Sequence, residues 1–134
     1  MKYLLDTNIC IHLLRGRMEV AEAIDRVGLS NCCISEITKA ELLVGEALAV
    51  RRGIKSSRPV LERFISCLDV IPISSAIESY AGEKARLISE GLQIEDFDLL
   101  IACSAVSSGA ILVTENESHM QRVAGVRLEN WVCR

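Results

Sequence analysis

Aromatic residues are scarce in this 134-residue chain: Tyr3, Phe64, Tyr80, Phe97 and Trp131 are all it has. An RNA module that stacks bases on a sheet needs more aromatic faces than that. The core must therefore be mostly Leu, Ile, Val and Ala. Zinc-ligand spacing is also missing. The six cysteines, at positions 10, 32, 33, 67, 103 and 133, form no C-x-x-C pair and no Cys/His cluster. Cys10, Cys32, Cys33 and Cys103 sit in apolar runs, where a free thiol acts as a small hydrophobe; a reducing cytoplasm is the expected compartment. No apolar run is long enough to cross a bilayer, and Asp6 interrupts the start, so neither a membrane span nor a leader is expected. A strong basic excess is lacking as well. Net charge is −3, whereas a generic polyanion binder is basic throughout.

What is present is globular. Half the residues are hydrophobic and a quarter are charged. The length suits one domain, residues 1–134, that buries roughly two-thirds of its unfolded surface. Charge is uneven: residues 1–67 carry 10 basic and 8 acidic side chains, residues 68–134 carry 5 and 10. Contact with nucleic acid would therefore run through a local patch or through metal ions.

Short apolar runs at 2–5, 31–35, 68–73 and 110–113 read as buried strands, with 126–129 as a candidate fifth. Between them lie helical stretches: one from about 9 to Gly16, then 19–27, 36–48, 59–67, a helix ending near Gly91, 97–108 and 116–124. Ser75 with Glu78 has the capping-box spacing, and Gly109 suits a helix stop. Strands alternating with helices, without hairpin signals, predict an α/β fold: three layers, α/β/α, around a short parallel sheet of four to five strands. No repeat or second domain is visible.

In such a sheet, ligands bind beyond the carboxyl ends of the strands. Asp6 follows the first strand, and Thr114–Glu117 follow the fourth. Glu41 falls on a stripe with Ile37, Val44 and Leu48, where a carboxylate is costly unless compensated. Lys39 or Arg63 is the alternative ion-pair partner. Asp98 opens the apolar run Leu99-Leu100-Ile101-Ala102 in the first turn of its helix, where an anion is favoured. Three acids distant in sequence thus reach one edge. Neighbouring carboxylates remain ionised only if a cation neutralises them, and oxygen ligands select Mg²⁺ or Mn²⁺. Such a site can clamp a phosphodiester and activate water. Taken singly, Asp6 reads as a helix cap and Asp98 as a first-turn acid. His12 and His119 show no metal spacing. Arg51, Arg52, Lys55 and Arg58 lie within eight residues without an acid, either a solvated loop or an RNA-guiding patch.

The chain resembles the PIN-domain ribonucleases, and particularly the VapC-type toxins of bacterial toxin–antitoxin pairs. The likeness rests on Leu5-Asp6-Thr7-Asn8-Ile9, on Ser35 to Glu41 with Gly45, on Phe97-Asp98-Leu99-Leu100-Ile101-Ala102, on Leu112-Val113-Thr114-x-Asn116, and on the tail Gly125-Val126-Arg127-Leu128-Glu129-Asn130-Trp131. It implies a Mg²⁺- or Mn²⁺-dependent endoribonuclease. Asp6, Glu41 and Asp98 match the family's three invariant acids, and Asn116 stands at a fourth position where many relatives carry Asp. Asn8 and Thr114 match supporting hydrogen-bonding residues. Glu115, Glu117 and Asp96 are further candidate acids for the site. The resemblance also implies a cognate antitoxin that inserts a basic side chain into the acidic site, and a homodimer.

Two other readings compete. One is a non-catalytic PIN-like module that binds RNA or protein, suggested by Asn116. The other is an Asp-nucleophile phosphatase, opposed by Asn8, because those enzymes want a second Asp two residues after the first.

Overall fold

A computed structural model describes residues 1–134. The elements run β1 (Tyr3–Leu5), α1 (Thr7–Leu14), α2 (Met18–Val27), β2 (Cys32–Ser35), α3 (Glu36–Arg51), α4 (Arg58–Ser66), β3 (Asp69–Ile71), α5 (Ile77–Glu90), α6 (Asp96–Ser108), β4 (Ile111–Val113), α7 (Glu117–Met120) and β5 (Leu128–Glu129). All five strands are parallel, in the order β3-β2-β1-β4-β5. This is the expected α/β/α sheet.

β1 is central, and both of its neighbours matter. Tyr3 and Leu4 pair with Cys32 and Cys33 of β2, while Leu5 pairs with Val113 of β4. The chain winds from β1 out to β2 and β3, then returns to β4 on the other side. The strand order therefore reverses at β1, and that switch point is where α/β sheets open a crevice for ligands.

Alternation along the strands splits the core between the two faces. Leu5, Cys32, Ile34 and Val113 pack with α1, α2, α4 and the tail residues Trp131 and Val132. Leu4, Cys33 and Leu112 pack with Leu99, Ile101, Ala102 and Cys103 of α6 and Leu87 of α5. Helix α3 serves both clusters, through Leu42 on one side and Ile37 on the other. It thus borders the crevice rather than lying flat on one layer.

Several expectations need correction. Ser75 does not cap α5. It belongs to a 3₁₀ turn after Pro72, its hydroxyl donates back to the Pro72 carbonyl at 2.8 Å, and Ala76 occupies the cap without a side-chain bond. Pro72 also ends β3 at Ile71, because it has no N–H for the ladder. Helix α3 continues to Arg51 rather than stopping at 48. The 116–124 helix shrinks to Glu117–Met120, beyond which i→i+3 bonds from Arg122 and Val123 wind the chain more tightly. Phe97, read as part of a buried helix, is half exposed. Gly91 and Gly109 do end α5 and α6, each at a φ of 68° that L side chains rarely adopt.

Candidate active site

Asp6 is the last residue before α1 and caps it. Its side chain accepts the Thr7 N–H at 2.8 Å. The backbone N–H of Asp6 donates to the Val113 carbonyl at 2.9 Å, which ties it to β4 across the switch point. The next residue on β4's side is Thr114. It is fully buried, and its hydroxyl donates to Asp6 Oδ2 at 2.7 Å. Asn8 Nδ2 approaches the same oxygen at 3.4 Å, and Asn8 Oδ1 accepts the Glu115 N–H at 3.3 Å. Asn8 therefore fastens the loop after β4 to the turn after β1.

Three donors around one carboxylate would ordinarily hold its pKa low. Here burial dominates, and the Asp6 carboxyl is pushed up to about 6. The Thr114 and Thr7 bonds oppose that rise, and the charges of Asp98 and Glu41 add to it. Asp98 reaches the edge because α6 precedes β4 and runs back along it, which leaves its first turn at the strands' carboxyl ends. It is half-buried and accepts Asn116 Nδ2 at 3.3 Å. Its carboxyl is also raised, first by burial and then by Glu95 and Glu41, against a lowering effect of His119. Asn116 in turn donates its backbone N–H to Thr114 Oγ1 at 2.9 Å. One chain of contacts thus joins Asp98, Asn116, Thr114 and Asp6.

Glu41 arrives from α3, whose start is fixed at the end of β2 by Ser35, with Oγ accepting the Ile37 N–H at 3.0 Å. The carboxylate is half-buried, and its Oε1 accepts the Thr7 hydroxyl at 2.6 Å. Its partner is thus a hydroxyl, not Lys39 or Arg63. The apolar stripe expected around it is not buried as a whole, since Val44 is 57% and Leu48 46% exposed. The reason is length. Helix α3 spans about 24 Å at 1.5 Å per residue, while the four-residue strand beside it spans about 13 Å. The second half of the helix overhangs the sheet.

The remaining candidates separate. Asp96 lies outside the network, because it pairs with Lys84 and accepts the Tyr80 hydroxyl at 2.8 Å. Glu115 is engaged by His12 and by Arg134, the latter at 2.8 Å, and only its backbone joins the network. Glu117 is exposed in the first turn of α7. Arg51, Arg52, Lys55 and Arg58 are all exposed. Arg58 pairs with Glu62 at 2.8 Å, and Arg51 stands about 15 Å from Glu41 along α3. Sequence reasoning passed over Thr7 and Thr38 as side-chain partners of the site, and set aside His119, whose charge lowers the Asp98 pKa. The signals available were a hydroxyl between Asp6 and Asn8, and a Thr three residues before Glu41.

The acids share an edge without closing a cage: no three His, Cys, Asp or Glu side chains converge on one ion-sized point. The donor set nonetheless fits a hard cation. It is all oxygen, two of its carboxyls are pushed up by burial and, less strongly, by the charges of neighbouring acids, and such ions keep several waters of their own. Beside Glu41 lies a cavity of about 340 Å³, floored by Ile11, Leu14, Leu42 and Leu61, with Arg15 in its wall. A larger cavity of about 630 Å³ is lined by Lys84, Asp96, Phe97 and Leu99 and by none of the three acids.

Comparison with known proteins shows the family and the fold. The PIN domain profile matches residues 3–126. The tRNA(fMet)-specific endonuclease VapC of Shigella flexneri is 34% identical over 137 residues, covering 98% of each chain. Among solved structures, DNA-bound VapBC from Salmonella typhimurium superposes with a TM-score of 0.86 at 33% identity, covering 98% of this chain and 99% of that one. A toxin–antitoxin complex from Klebsiella pneumoniae gives 0.69 at 26% identity, covering 93% and 95%.

Proposed function

The chain belongs to the PIN-domain family, and from that premise we propose that it is a Mg²⁺- or Mn²⁺-dependent endoribonuclease, the toxin of a toxin–antitoxin pair. The observation that carries this reading is that Asp6, after β1, Glu41 of α3 and Asp98 of α6 lie along one edge at the switch point of the sheet, near enough for their charges to act on one another. Its likeness to an endonuclease and to a toxin–antitoxin complex supports it.

Asp6, Asp98 and Glu41 would hold the ion. There it would supply Lewis-acid chemistry, lowering the pKa of a water and screening the phosphodiester's charge. The protein's share is orientation. Thr114 and Asn8 fix Oδ2 of Asp6, and the Thr7 N–H fixes Oδ1. Asn116 holds Asp98 through a neutral amide, which gives the site one negative charge fewer than an Asp at that position would. The three acids repel an uncompensated phosphate. Catalysis therefore waits on the cation, and an acidic protein can still act on RNA.

A cognate antitoxin supplying a basic side chain to the same acids, a homodimeric assembly and a cytoplasmic setting complete the proposal. No helix is long and apolar enough to cross a membrane. The exposed cations Arg51, Arg52 and Lys55 are assigned to guiding RNA toward the crevice.

Incubation of the purified protein with RNA tests the reading. Cleavage should require Mg²⁺ or Mn²⁺, stop in EDTA, and leave 5′-phosphate and 3′-hydroxyl ends. Cleavage in EDTA, or 2′,3′-cyclic phosphate ends, would overturn the mechanism. No cleavage with either metal would favour the non-catalytic module.

A further inference from the structure

Thr7 touches two of the three acids. Its backbone N–H donates to Asp6 Oδ1 at 2.8 Å, and its hydroxyl lies 2.6 Å from Glu41 Oε1. The same hydroxyl oxygen is 3.0 Å from Oγ1 of Thr38, a fully buried side chain in the first turn of α3. A hydroxyl carries one proton and two lone pairs. An ionised carboxylate has no proton to give, so the Thr7 proton goes to Glu41. The bond between the two threonines must then run the other way, with Thr38 donating to Thr7. The order is fixed: Thr38 to Thr7 to Glu41.

This order has a consequence for the acid site. Thr38 has no polar partner other than Thr7 among its side-chain contacts, and no buried side-chain polar atom in the protein is unsatisfied. Its burial therefore holds the Thr7 oxygen in place. Thr7 in turn engages Oε1 of Glu41 and leaves Oε2 without a protein donor. Glu41 comes from a helix with only its first turns against the sheet, so an unrestrained side chain would sample several rotamers.

We infer that Thr7, backed by the buried Thr38, is a positioning residue that fixes Glu41 so that its second oxygen faces the acid cluster as a cation ligand. The inference rests on the metal-dependent reading above. Outer hydrogen-bonding partners of this kind orient ligating carboxylates, and losing one typically costs about 10- to 100-fold in metal affinity or activity.

Direct titration of the metal-free protein with Mn²⁺, alongside RNA cleavage, tests it. Thr7→Val keeps the shape and removes the hydroxyl. It should weaken Mn²⁺ binding by about tenfold or more and lower kcat, with KM for RNA little changed. Thr7→Ser should recover most of the lost affinity. Thr38→Val should show a smaller loss in the same direction, because it acts through Thr7. In a Glu41→Gln background, Thr7→Val should add no further loss, since the group it positions no longer ligates as a carboxylate. Circular dichroism and apo melting temperature identify variants that are merely unfolded; for these, the Ser variant and the double-mutant comparison carry the decision. Mn²⁺ affinity in Thr7→Val equal to wild type would overturn the inference alone. So would a Ser variant as weak as the Val variant, or full additivity with Glu41→Gln. A wild-type protein that binds no Mn²⁺ would overturn both the inference and the reading beneath it.

Discussion

The Thr114 hydroxyl donates to Asp6 Oδ2 across 2.7 Å, joining the ends of β1 and β4 where both residues are buried. Asp6 nevertheless carries a carboxyl raised to about 6, because burial outweighs the bonds and the charges of Asp98 and Glu41 add to it. A folded-state pKa above the unfolded value means the native state binds the extra proton. Between roughly pH 4 and pH 6, stability of the metal-free protein should therefore fall as pH rises, by about 3 kcal/mol in all. Asp6→Asn removes this dependence. In EDTA, the melting temperatures of wild type and Asp6→Asn should lie close below pH 4 and separate above pH 6, with the variant the more stable. Parallel profiles would show that folding does not raise the Asp6 carboxyl.

Glu41→Gln should abolish cleavage while leaving the metal-free fold as stable as wild type or slightly more so. The amide oxygen can still accept from Thr7, and one like charge facing Asp6 and Asp98 disappears. Chemical denaturation in EDTA measures this. A clear loss of stability would mean that Glu41 is held chiefly for structure.

Replacing Arg51, Arg52, Lys55 and Arg58 by Ala should weaken RNA capture and flatten its salt dependence. The slope of log affinity against log salt should drop by up to roughly 0.7 for each phosphate that the variant no longer neutralises. Arg58 contributes least, since Glu62 already pairs with it. Turnover at saturating RNA should hold, and exposed substitutions usually change stability by within about 0.5 kcal/mol. Fluorescence anisotropy at several salt concentrations reads the slope; an unchanged slope would make these cations solvated surface with no part in RNA capture.

The architecture was readable because β1, β2 and β4 lie in short apolar runs and most helices end just before a glycine. Asp6 and Asp98 were readable because a helix terminus and a strand end fix their positions within a residue or two. Glu41 was expected near Asp6 for a reason only partly right; it lies against Thr7, the residue after Asp6. Its position on α3 counts, but the stripe around it is half exposed, because the sequence does not reveal how far a helix overhangs its sheet. Asp96 and Asp98 differ by two positions in one helical turn. Only the structure shows that Lys84 and Tyr80 claim Asp96. Ser75 had the spacing of a cap but spends its hydroxyl on the Pro72 carbonyl. The Thr38–Thr7–Glu41 contact joins residues 31 and 34 apart, and no local pattern announces it.

The central claim is that Asp6, Glu41 and Asp98 together hold a divalent cation, and calorimetric titration of Mn²⁺ into the metal-free protein tests it most directly. Wild type should bind. Asp6→Asn and Asp98→Asn should lose most of that binding, while Asp96→Asn, whose side chain faces Lys84 instead, should bind as wild type does. Undiminished binding by Asp98→Asn, or loss of binding in Asp96→Asn alone, would contradict the account.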